Sequence, residues 1–284
     1  MRFATIDGRM KLVAASGKYV DVETASAGRL PADPQIAYER WDDLVEWSAS
    51  AVDQAGAEAF AEASLGAPSP RPRQVFAIGF NYRDHVNEAG TAVPEALQTF
   101  TKFQSAIAGP YSDVVLPSEH VDWEAELVVV MGRTAHRVGE NDAWAHVAGL
   151  TIGQDYSERA LQVAGEYPQF SLAKSFPGFA PTGPVLVTLD EFADADDLSI
   201  QCEINGEIVQ SGRTSAMIFP IPTLIARLSA VCTLHPGDLI FTGTPSGVGF
   251  ARTPARYLTP GDVVTTRVEQ IGEIRQTCIE KRHD

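Results

Sequence analysis

Short apolar runs separated by turn residues dominate this chain. Residues 2–6 and 11–14 read as strands around the turn Asp7-Gly8. Residues 37–63 read as helical with a charged face, and Ala67-Pro68-Ser69-Pro70-Arg71-Pro72 then reads as a stiff connector. Strands follow at 75–78 and 126–131. Residues 201–204 and 207–210 flank Asn205-Gly206, the strongest short hairpin signal. Pro236-Gly237-Asp238 and Pro260-Gly261-Asp262 are turns that lead into β-rich runs at 239–242 and 263–268. Residues 222–232 predict a helix with Pro in its first turn and apolar spacing at Leu224, Ile225, Leu228 and Val231. Strands outnumber helices and do not alternate with them, so a mixed, β-rich α/β architecture is expected. The boundary is placed at the connector: a small α+β unit over 1–70 and a larger unit over 71–284.

Composition narrows the function classes. The 284 residues carry a net charge of -15, which argues against nucleic acid or an anionic membrane as partner. No apolar run approaches the ~18 residues of a membrane span. The start of the chain lacks the apolar core of a secretory leader. Cys202, Cys232 and Cys278 are scattered and odd in number, consistent with reduced thiols in a cytoplasmic protein.

The most informative short motif is Glu124-Ala125-Glu126, ahead of the apolar run 127–131. On a strand, positions i and i+2 share a face, roughly 7 Å apart. Two carboxylates beside a core are costly unless paired, and a hard cation on oxygen donors is one remedy. A solvated face on a half-exposed strand is the alternative. Asp155 ends a probable strand, and 157–165 reads as a short helix. A helix beginning near Asp155 puts Asp155, Arg159 and Gln162 on one face. Asp155 would then either cap that helix or join the two glutamates, giving three carboxylates and half an octahedral shell. Lys174 lies in an apolar stretch, either as a surface lysine with a buried stem or as a cation balancing the acids. His85 and Glu88, at i and i+3, make either an exposed ion pair or a base whose tautomer a carboxylate fixes. The glycine-rich segment 241–249 lacks P-loop and dinucleotide spacing. Its N–H groups could approach an anion, or it is a plain turn.

In order along the chain, Asn81-Tyr82-x-x-His85-x-x-Glu88, Glu124-x-Glu126, Asp155 with Arg159 and Gln162, Lys174-Ser175-Phe176, Asn205-Gly206-Glu207 and Thr242-Gly243-Thr244-Pro245 resemble the fumarylacetoacetate hydrolase family. The resemblance runs from about residue 73 to the C-terminus. It implies a β-roll or β-sandwich catalytic domain, a Mg²⁺ or Mn²⁺ site and a homodimer. It also implies roles: Glu124, Glu126 and Asp155 as metal ligands, His85 with Glu88 as a dyad on a lid, and Lys174 as electrophilic partner. Tyr82, Arg159, Gln162, Gly243 and Thr244 would contact a small 2-oxo acid. Tyr156 and Glu158 depart from the family pattern and are expected at the pocket wall or behind it.

Such a site predicts hydrolysis of a carbon–carbon bond in a 2,4-dioxo acid such as an acylpyruvate or fumarylpyruvate, within aromatic-compound catabolism. The metal would stabilise the enolate left by cleavage, His85 would activate water, and Lys174 would support the oxyanion. The alternatives are an oxaloacetate-type decarboxylase, an isomerase of a 2-hydroxyhepta-2,4-diene-1,7-dioate type, and a metal-stabilised binding module without turnover. Residues 90–101 and 162–169 are the candidate segments for selecting the substrate.

Overall fold

The computed structural model describes residues 1–14, 16–51, 56 and 61–281. An eleven-stranded sheet and a five-stranded sheet carry the architecture. The path through the large sheet runs Tyr19–Asp21, Arg9–Val13, Arg2–Ile6, Ala180–Val187, Val147–Gln154, Ala125–Met131, Leu239–Phe241, Val75–Gly79 and Gln98–Thr101. The smaller sheet orders Glu207–Arg213, Ser199–Ile204, Val263–Val268, Gly272–Glu280 and Val114–Leu116. Two strands, Ala125–Met131 and Val147–Gln154, are buried along their whole length. Because side chains alternate faces, full burial means that both faces are covered. This explains why 127–131 reads as one continuous apolar run. Each large apolar side chain buried there contributes about 1.5–3 kcal/mol.

The expected hairpin is present, with Asn205 and Gly206 at φ 54° and 84°, as a two-residue type I′ turn demands. The helix expected over 222–232 is Ile221–Ser229, with Leu224, Ile225 and Leu228 buried. Val231 lies beyond its end and is 86% exposed, so it does not belong to that apolar face. The helical stretch expected over 37–63 divides. Pro34–Tyr38 is capped by Asp33, whose carboxylate accepts the N–H groups of Gln35 and Ile36, and Trp41–Ala51 is a second helix. Residues 52–55 and 57–60 of that stretch lie outside the described residues, and Glu62–Ser64 is a 3₁₀ turn.

Strand Arg2–Ile6 pairs antiparallel with Ala180–Val187, so the first residues extend the large sheet. The proline-rich connector is packed down. The Tyr38 hydroxyl donates to the Pro68 carbonyl (3.1 Å), and buried Ser69 donates to the Gly237 carbonyl (2.6 Å).

Register brings the chemistry together. Ala125 pairs with Gln154, Val128 with Phe241, and Phe241 with Ala77. Strands Val147–Gln154, Leu239–Phe241 and Val75–Gly79 therefore all end where Ala125–Met131 begins. Glu124, Asp155, the 242–250 loop and the segment from Asn81 emerge at that one edge.

Candidate metal centre

Ligand atoms of Glu124, Glu126 and Asp155 lie within 4.8 Å of one another, and all three residues are buried. Glu126 and Asp155 come from neighbouring antiparallel strands; the Asp155 N–H donates to the Glu124 carbonyl at 2.9 Å. The helix reading of Asp155 is corrected here. Asp155 follows strand Val147–Gln154, Ser157–Glu158 is itself a short strand, and the helix is only Arg159–Gln162. Its cap is Glu158, which accepts the Leu161 N–H at 2.6 Å. A strand held by pairing to Val121–Asp122 outcompetes one more turn of helix.

Three cations surround these acids. Lys174 Nζ bridges Glu124 Oε2 and Asp155 Oδ2, each at 2.7 Å. Lys102, fully buried, binds the other Asp155 oxygen and the Lys174 carbonyl. Arg159 donates from Nε to Asp122 (2.9 Å) and from Nη1 to Gln162 Oε1 (2.8 Å), and Nη2 lies 2.8 Å from both Asp122 and Glu124. Four buried carboxylates, counting Asp122, thus face three buried cations. Burial pushes Glu124 up, but Lys174, Arg159 and His85 outweigh it and hold its carboxyl at about 2. Glu126 has no such partner; burial, Asp155 and Glu124 push its carboxyl well above the usual range. Burial likewise lowers Lys102, and Asp155 only partly offsets this. A cluster of hard oxygen donors with excess negative charge fits a divalent cation such as Mg²⁺ or Mn²⁺.

His85 and Glu88 sit on helix Arg83–Glu88, with His85 Nδ1 2.7 Å from Glu88 Oε1. The carboxylate fixes the proton on Nδ1 and leaves Nε2 as an acceptor. Phe80 stacks on the imidazole at 5.3 Å.

The glycine-rich loop serves the protein's own acids. Gly243 N–H donates to Glu126 (2.7 Å), Gly247 N–H to Glu88 (2.9 Å), and Gly249 and Phe250 N–H to Asp122 (2.7 and 2.9 Å). One loop therefore fixes a candidate ligand, the partner of the base and the partner of Arg159. Gly243 and Gly247 take φ of 97° and 108°. A Cβ at Gly247 would meet the Val209 carbonyl at 2.1 Å, so only glycine fits.

A cavity of about 360 Å³ opens beside the cluster. Glu124, Lys174, His85, Arg159, Gln162 and Thr244 all line it. Tyr82 and Gly243, expected as substrate contacts, lie behind the wall instead: Tyr82 is fully buried, and the Gly243 N–H belongs to Glu126. Burial, with Glu126 and Asp84, raises the Tyr82 phenol. Tyr156 and Glu158 are backing, not wall. Tyr156 donates to Gln276 (3.2 Å) and packs on Phe179, and Glu158 caps the helix and accepts the Ser118 hydroxyl. Sequence reading missed Lys102 and Asp122. Asp122 stands two residues before Glu124 and offered a signal; Lys102, 53 positions from Asp155, offered none.

The family model for the fumarylacetoacetate (FAA) hydrolase C-terminal region matches residues 74–279. The chain belongs to this family. It is 46% identical over 215 residues to the mitochondrial oxaloacetate tautomerase FAHD2A of Homo sapiens, covering 75% of this chain and 68% of that protein. A crystal structure from Mycobacterium smegmatis superposes with a TM-score of 0.94 at 51% identity, covering 99% of this chain and 100% of the other. Maleylpyruvate hydrolase from Sphingobium sp. SYK-6, solved with manganese(II) and pyruvate, superposes at 0.82 with 29% identity, covering 99% and 100%. The β-rich architecture is that of fumarylacetoacetate hydrolase family proteins. No described helix is long and apolar enough to cross a membrane.

Proposed function

We propose that this chain is a divalent-metal-dependent enzyme that moves protons on a short 2-oxo acid, with enol–keto tautomerisation of an oxaloacetate-like diacid as its reaction. The observation that carries this reading is the convergence, in one cavity, of the three carboxylates with the His85–Glu88 pair. The 46% identity to an oxaloacetate tautomerase supports the choice of reaction. Glu124, Glu126 and Asp155 would hold Mg²⁺ or Mn²⁺, which when bound chelates the 2-oxo acid and favours its enolate. His85 Nε2 carries the proton between the enol oxygen and the adjacent carbon, because Glu88 holds the tautomer. Lys174 keeps Glu124 ionised and places an ammonium beside the substrate oxygen. Phe80, Phe100, Phe170 and Phe250 exclude water from the exchange.

The cleavage of a 2,4-dioxo acid expected from sequence is the second reading. It is favoured by the unpaired Nε2 of His85, which suits activation of a water, and by the likeness to maleylpyruvate hydrolase. We also infer a homodimer, supported by the exposed Val163, Tyr167 and Leu172 on one stretch of chain. Sedimentation at micromolar concentration tests that inference; a monomer would refute it.

The functional test follows loss of enol-oxaloacetate and, separately, release of pyruvate from an acylpyruvate, with and without Mg²⁺, and Glu126→Ala as control. Metal-dependent tautomerisation lost in the control supports the first reading. Pyruvate release alone supports the second. Turnover that ignores both metal and Glu126 would overturn both.

A further inference from the structure

The polar wall of the cavity is only partly satisfied by the protein. Arg159 donates from Nε to Asp122 and from Nη1 to Gln162, and its Nη2 makes ion-pair contacts with Asp122 and Glu124 at 2.8 Å. The Thr244 hydroxyl donates to the Ala125 carbonyl and accepts from Gln210, both at 2.8 Å. Besides His85 Nε2, the His120 imidazole, the Tyr257 hydroxyl and Nε2 of Gln162 on the wall have no protein hydrogen-bond partner among the described residues. Gln162 is only 8% exposed. His120 and Tyr257 pack edge to face with centroids 5.3 Å apart. Both are tied to the centre through the main chain: the His120 carbonyl accepts the Arg159 N–H (3.0 Å), and Leu258 N–H donates to the Val121 carbonyl (2.8 Å). Most of the remaining wall is apolar, with Phe80, Phe100, Phe170 and Phe250 beside Ile78, Ala160 and Val163.

We propose that His120, Tyr257 and the Gln162 amide form a distal subsite for the far carboxylate of a 2-oxo dicarboxylic acid whose oxo end rests on the carboxylate floor. This rests on the 2-oxo acid reading above and deepens it. Donors set in an apolar wall select a ligand that can accept from them, because an alkyl tail leaves them desolvated and unpaired. A carboxylate accepts from donors of this kind, and hydrogen bonds to a charged group are the stronger kind.

The test is calorimetric binding of matched ligands to the Mg²⁺-loaded protein. 2-Oxoadipate is compared with 2-oxohexanoate, and 2-oxoglutarate with 2-oxopentanoate; oxalate, which has no distal end, reports on the floor alone. Wild-type protein should bind each diacid about tenfold more tightly than its monoacid. His120→Ala should abolish the preference and Tyr257→Phe, which keeps the ring, should reduce it; oxalate should bind equally to all three. An absent preference in wild type would overturn the proposal, as would one that persists in both variants. Oxalate binding without regard to Mg²⁺ would overturn the underlying 2-oxo acid reading, and this proposal with it.

Discussion

Two charged clusters in this molecule use the same residue types to opposite ends. Near the N-terminus, Asp21 meets Arg9 (2.7 Å) and Lys11 (2.6 Å) and caps helix Val22–Ala25 by accepting the Thr24 N–H. Arg9 also pairs with Glu23 (2.9 Å), so two cations meet two acids, and the Arg9 guanidinium draws the Asp21 carboxyl well below its ordinary range. In the centre, acids outnumber cations, and Glu126 moves the other way. The first cluster is complete as folded. The second is incomplete until something positive arrives, which is what a binding site requires and a purely structural cluster does not.

His85→Ala should lower turnover by about 10²–10⁴ and leave the Mg²⁺ affinity from calorimetry unchanged. Lost metal affinity would move His85 into the ligand set. Lys102→Ala strands Asp155 as a buried, less compensated charge, and urea unfolding should show a loss of about 3–5 kcal/mol. An equal loss for Arg9→Ala would erase the contrast between the clusters.

The clusters should also respond to pH with opposite sign. Glu126 has a raised carboxyl in the fold, so its contribution in metal-free protein is fully present below the unfolded value of ~4.3 and is lost as pH rises through the raised one. Metal-free Glu126→Gln should therefore lose less stability between pH 5 and 8 than wild type, read as urea midpoints. Identical slopes would contradict the assignment. Asp21 has a depressed carboxyl, so its contribution is present above ~3.9 and is lost as pH falls below that. Asp21→Asn should flatten the decline between pH 5 and 3 by under about 1 kcal/mol, because the pair is partly exposed and screened.

By itself the sequence determined the elements that local chemistry controls. Asn205-Gly206 dictates its hairpin, the 127–131 run dictates a buried strand, and a proline near the first turn dictates the helix at Ile221–Ser229. It also determined which acids belong together where two are neighbours on one strand, and the i, i+3 pairing of His85 with Glu88. Tertiary structure decided the rest. Whether residues 157–165 begin as helix or strand depended on pairing with Val121–Asp122, which no local pattern encodes. Whether the glycine-rich N–H groups face a ligand or Glu126, Glu88 and Asp122 depended on register between distant strands. Lys102 reaches Asp155 only because Gln98–Thr101 ends at the edge of a sheet whose order bears no relation to chain order. Sequence periodicity reports the environment a residue needs. Which residue supplies that environment is settled by packing, where a buried charge accepts whichever partner the fold brings within reach.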